Sequence, residues 1–152
     1  MILKYQKALE IFDDRHSTTY TLREPDYQED DPRCTELCTI GEDTYVHVPD
    51  SVILPVQPEQ ITFSTVTLTD ALKAEIKALS PHVQLSYSRL QERIRTKYNI
   101  EDEQYITRIS VGDLSGTYVM HDDEPGLITV YQAWVEECRE IARLERVGLG
   151  LG

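Results

Sequence analysis

Thr69-Asp70-Ala71-Leu72-Lys73-Ala74-Glu75-Ile76-Lys77-Ala78-Leu79-Ser80-Pro81 is the stretch on which the reading of this chain turns. Thr69 is suited to cap a helix, and Asp70 would lie at the positive end of its dipole. Leu72, Ile76, Leu79 and Val83 recur at helical steps of four, three and four. Ser80-Pro81 interrupts the run, because serine caps well and proline favours the first helical position. A break there makes two helices of one pattern.

Beyond the break, Val83, Tyr87, Leu90 and Ile94 form the buried stripe of a helix that reaches about Tyr98, with Asn99 as its end. Residues 101–110 predict a short third helix with Tyr105, Ile106 and Ile109 inward. Glu101, Asp102 and Glu103 suit its positive end. Gly112-Asp113 and Ser115-Gly116 read as a loop around Leu114, and Tyr118-Val119-Met120 as a brief strand or a filler. Pro125 opens a last helix, whose stripe runs through Val130 or Tyr131, Trp134, Cys138 and Ile141. Arg143 and Arg146 sit at its negative end.

Upstream of Thr69 the character is different. Residues 1–66 carry 13 acidic and 5 basic side chains, against 14 and 10 in residues 67–152. MILKYQKALEIF supports two periods. Leu3, Tyr5, Leu9 and Ile11 share a strand face, while Ile2, Tyr5, Leu9 and Phe12 share a helix face. Thr18-Thr19-Tyr20-Thr21-Leu22 favours a strand, which tilts the choice toward a hairpin turning at residues 13–17. REPDYQEDDPR, residues 23–33, reads as a surface loop. Cys34–Thr39 and Thr44–Val48 are strand candidates around a Gly41-Glu42-Asp43 turn. Pro55 confines residues 52–56 to an edge or an irregular extension. Ile61–Leu68 is a further strand candidate.

The expected class is therefore α+β: a β-rich part, residues 1–68, packed against three or four helices in residues 69–152, together one compact unit. A length of 152 residues with 40% apolar and 28% charged side chains suits such a core. The chain shows no leader pattern at its start and no apolar run of membrane-spanning length. With an odd number of cysteines, three, a reducing cytoplasm is the expected location.

The net charge of −12 repels phosphate and argues against direct nucleic-acid binding. Cys34 and Cys38 would lie on one side of a strand, and His47 or His16 could join them on zinc, but the spacing is not that of a paired zinc motif. Cys138 reads as a packed thiol rather than a nucleophile served by His82 or His121. The acidic residues Asp26, Glu29, Asp30 and Asp31 lack the pattern of a calcium loop. No catalytic, cofactor or metal site is assigned.

Nine tyrosines against two phenylalanines favour recognition surfaces. Tyr87, Arg89, Arg93, Tyr98, Tyr105 and Tyr131 are the candidate interface residues. The expected function is a non-enzymatic protein-binding or assembly accessory protein, oligomeric or bound to a protein partner, of a size and composition that suit a bacterial or bacteriophage factor. Two alternatives remain open. One is an acidic nucleic-acid mimic that inhibits a DNA- or RNA-binding protein. The other is a small cysteine- or histidine-dependent enzyme.

Overall fold

A computed structural model describes residues 1–152. The class is α+β, with six strands in the N-terminal half followed by four helices. The chain forms two compact units. The first comprises residues 1–84 and 147–152, the second residues 85–146.

In the first unit, β1 (Ile2–Gln6), β4 (Thr35–Ile40), β5 (Asp43–His47) and β6 (Phe63–Thr65) make one sheet in the order β4-β5-β1-β6. All three pairings are antiparallel. β4 and β5 are joined by Gly41-Glu42. Gly41 has φ +62° and Glu42 does not have a positive φ, so the two-residue loop is a type II′ turn. Strand alternation sends Leu3, Tyr5, Val46 and Val48 to one face, where Leu22, Val52 and Ile61 from the long connections cover them. Ile2, Tyr45, Leu37 and Cys38 face the other way, against Ile76, Val83 and Leu151.

β2 (Ala8–Asp13) and β3 (His16–Tyr20) form a separate hairpin, joined by ladder to no other strand. The opening stretch is thus strand rather than helix, but it is broken at Lys7. Leu3 and Tyr5 belong to β1 and are buried, whereas Leu9 and Ile11 of β2 are exposed, so the four do not share a face. The Lys7 ammonium meets Glu36 at 2.8 Å where the chain changes direction. The hairpin turn, Asp14-Arg15, is held by the Asp13 carboxylate, which accepts from the Arg15 N–H at 2.8 Å and meets the His16 ring.

The four helices are α1 (Asp70–Leu79), α2 (Pro81–Arg95), α3 (Ile100–Leu114) and α4 (Glu124–Gly148). Thr69 caps α1 as its sequence indicates, its Oγ1 accepting from the Leu72 N–H at 3.2 Å. The break at Ser80-Pro81 is present. Ser80 is fully buried, and its carbonyl rather than its hydroxyl serves α2, accepting from Gln84 N–H at 3.1 Å.

Asn99 does more than end α2. Its side chain accepts from Asp102 N–H while Asp102 accepts from Asn99 N–H, both at 3.0 Å, which is a capping box opening α3. α3 then runs four residues past position 110, through Gly112 and Leu114. It stops at Gly116 (φ +69°) in a Schellman motif: Thr117 N–H reaches Gly112 O, and Gly116 N–H reaches Asp113 O. Residues 118–120 are irregular rather than a strand.

Candidate interaction surfaces

The first candidate surface is the β2–β3 hairpin. Its base is packed, since Ala8 and Tyr20 lie against the core on one sheet face. Its outer part is not. Leu9 is 62% exposed, Ile11 68% and Phe12 60%. Leu9 pairs with Thr19 and Ile11 with Ser17, so all four side chains project from the same side of the ribbon. Glu10, on the opposite side, accepts from the Tyr20 hydroxyl at 2.7 Å. The register shifts between Ile11 and Asp13, which puts a bulge at Phe12. A two-stranded ribbon is marginal in water, and this one leaves its apolar side uncovered.

The second surface lies in the unit of residues 85–146. α3, the turn that follows it and Tyr131 of α4 enclose an open groove of about 840 Å³, lined by Thr107, Arg108, Val111, Gly112, Tyr118 and Tyr131 among others. The Gly112 backbone and Tyr118 approach so closely that a Cβ on residue 112 would stand 2.6 Å from Tyr118 Cβ. Behind the groove, Glu124 is 3% exposed. Its carboxylate accepts from the Tyr105 hydroxyl, from the Tyr118 hydroxyl at 2.8 Å and from the His121 N–H at 2.7 Å. These donors, the Tyr105 phenol first among them, hold its carboxyl below the usual range. The same contact pushes the Tyr105 phenol up to about 12.

The six interface candidates are distributed unevenly in this unit. Tyr87 is 43% exposed, with Arg146 over its ring at 5.0 Å. Arg89 is exposed one helical turn from Arg93. Arg93 is half-buried and pairs with Glu145 at 2.6 Å, which draws the Glu145 carboxyl below its ordinary range. Tyr98 is buried edge-on against Tyr131, with ring centroids 5.0 Å apart. Lys97 lies over both Tyr98 and Trp134. Tyr105 keeps an exposed ring, although its hydroxyl is committed to Glu124. Tyr131 is half-buried in the groove wall.

The cysteines do not assemble. β4 carries a bulge at Leu37: Glu36 stands opposite Val46, yet Cys38 stands opposite Tyr45. The extra residue reverses the alternation. Cys34 therefore packs with the Leu3–Val46 face and Cys38 with the Ile2–Tyr45 face, so the expectation that both thiols share one side is overturned. No three His, Cys, Asp or Glu side chains converge as a metal cage. Cys138 is 1% exposed, and burial pushes its thiol up, away from the reactive thiolate. The 23–33 loop is anchored by Tyr27, whose hydroxyl accepts from Cys34 N–H at 2.9 Å, and by Gln57, which bonds both N–H and carbonyl of Arg23.

Leu9, Ile11, Phe12 and Glu124 are absent from the interface residues inferred from sequence. The alternation of Leu9 and Ile11 is visible there, but it looks like a core-facing strand. Glu124 looks like an ordinary helix-start acid. No helix is long and apolar enough to cross a membrane. No protein-family model matches the chain, nor does any curated protein or solved structure match it significantly.

Proposed function

We propose that this chain is a non-enzymatic assembly protein that acts by binding protein, with a second copy or another chain as its partner. The observation that carries this reading is the uncovered apolar side of the β2–β3 hairpin, Leu9 and Ile11 beside Thr19 and Ser17. Removing such area from water is favourable at roughly 25 cal/mol per Å². A ribbon of two strands gains the cooperativity it lacks when a third surface covers it. The exposed side chains of Tyr87, Arg89 and Tyr105 add aromatic and arginine area of the kind interfaces favour. Three free cysteines suit a reducing compartment, and the cytoplasm is the proposed place of action.

Light scattering on the eluted protein at low and high salt tests this reading. A multimer that persists in high salt is expected, because apolar contact does not screen. A strict monomer at every concentration, with no partner bound through the hairpin, overturns it.

A further inference from the structure

We infer that the outer edge of β3 pairs antiparallel with β3 of a second copy, so that two hairpins join into one four-stranded sheet. This inference rests on the assembly reading and names its partner and geometry.

The argument compares the open strand edges of the first unit. In the main sheet the outer strands are β4 and β6. β4 carries Glu36 and the bulge at Leu37, and both features discourage further pairing. β6 is only three residues long. In the hairpin, β2 carries Glu10 and Asp13 and its own bulge. Two copies meeting along β2 would set carboxylates against carboxylates.

β3 differs from all of these. Its sequence, His16-Ser17-Thr18-Thr19-Tyr20, contains no Asp, Glu, Lys, Arg, Pro or Gly. Apart from the His16 N–H, which serves the Asp13 carboxylate at the hairpin turn, its backbone pairs only with β2. It is an unguarded edge on a chain of net charge −12, and of the two edges that carry no Asp or Glu, β3 and β6, it is the longer, five residues against three.

A two-fold axis at Thr18 gives the pairing. Thr18 faces its symmetry mate, Ser17 faces Thr19, and His16 faces Tyr20. Threonine pairs across strands are favourable. The register keeps Ser17 and Thr19 on the side that already holds Leu9 and Ile11, so Leu9 and Ile11 of both copies lie on one side of the four-stranded sheet. Four strands pass the threshold that an isolated hairpin does not. The contact is short, well under the roughly 800 Å² per partner of tight complexes, so the dimer dissociates on dilution.

The test uses the full chain, with mass measured by light scattering up to the highest soluble concentration. Wild type is expected to double its mass as concentration rises. Thr18→Lys, which sets two ammonium groups on the axis, is expected to stay monomeric with an unchanged far-ultraviolet dichroism spectrum. Thr18→Cys is expected to cross-link to a covalent dimer under mild oxidation. Ser17→Cys is not, because its mate lies diagonally at roughly 7–8 Å, beyond disulfide reach. Wild type, whose own thiols are the control, should not cross-link.

A wild-type monomer throughout sinks the pairing, and it sinks the reading beneath it only when no other chain binds through the hairpin. A multimer unaffected by Thr18→Lys sinks the pairing alone and leaves assembly standing through another surface. Equal cross-linking at positions 17 and 18 rejects the register. Should Thr18→Lys unfold, the cysteine pair decides.

Discussion

The Tyr118 hydroxyl donates to the Glu124 carboxylate at 2.8 Å, which ties the irregular segment after α3 to the first residue of α4. Glu124→Gln keeps the shape but halves the acceptor capacity and removes the charge that two phenols and an N–H share. The Tyr105 phenol, now held at about 12, should then titrate nearer the ordinary value of about 10. An ultraviolet titration of tyrosinate formation reads the change directly. An unmoved titration curve would mean that Glu124 is not what holds Tyr105.

Glu145 offers a pH-dependent counterpart. Its carboxyl lies below the ordinary range, chiefly through the Arg93 hydrogen bond. A depressed carboxyl contributes stability that is present above its unfolded-state value and fades as pH falls through the folded one. Arg93→Ala should therefore cost about 1–2 kcal/mol at neutral pH. That difference should shrink as pH falls below the ordinary carboxylate range. Denaturant unfolding of both proteins at neutral and acid pH checks it, and a gap that stays constant with pH would rule out the ion pair as its source.

Gly112 and Gly116 should respond to alanine for different reasons. At Gly112 the new Cβ would stand 2.6 Å from Tyr118 Cβ, so the turn that walls the groove must move. The overlap should outweigh the gain of about 1 kcal/mol that alanine brings to a helix interior. At Gly116 nothing lies within 4 Å, but φ is +69° and alanine is strained there. Both variants should melt earlier. Only Gly112→Ala should also shift the near-ultraviolet signal of tyrosine, because it alone displaces Tyr118.

Leu151 is fully buried among Ile2, Ile76 and Val83. Leu151→Ala should cost about 2–5 kcal/mol, as core truncations do. The chain reaches this site through Gly150, with φ +71°, where a Cβ would come within 2.9 Å of the His47 ring. Gly150→Ala should destabilise in the same calorimetric scan. Wild-type melting of both variants would show that the last residues do not pack as described.

The helices were the legible part of this fold in their starts and breaks, but not in all their faces: Tyr87, Tyr105 and Ile141, expected inward, are exposed. Thr69, the Ser80-Pro81 break and the Trp134–Cys138 stripe each act locally, so a short window of sequence contains the cause. Asn99 was half legible: it does follow α2, yet its side chain opens α3, and asparagine serves both roles. The bulge at Leu37 was not legible, because an extra residue in a strand shows only against its partner. The exposure of Leu9 and Ile11 was hidden for the same reason. Alternation reveals which residues share a side, but not whether anything covers that side. Among the interface tyrosines, Tyr98 and Tyr105 look alike in sequence; burial separates them, and burial is a property of distant chain.

The segregation of Cys34 from Cys38 has a practical consequence. With Cys38 and Cys138 sealed and Cys34 half-buried, a maleimide dye should react at a single position under native conditions. That position packs against the same buried cluster as Ala8 and Tyr20 at the foot of the ribbon. The natural protein thus carries its own attachment point for a fluorescent reporter of what happens to the hairpin, with no residue added.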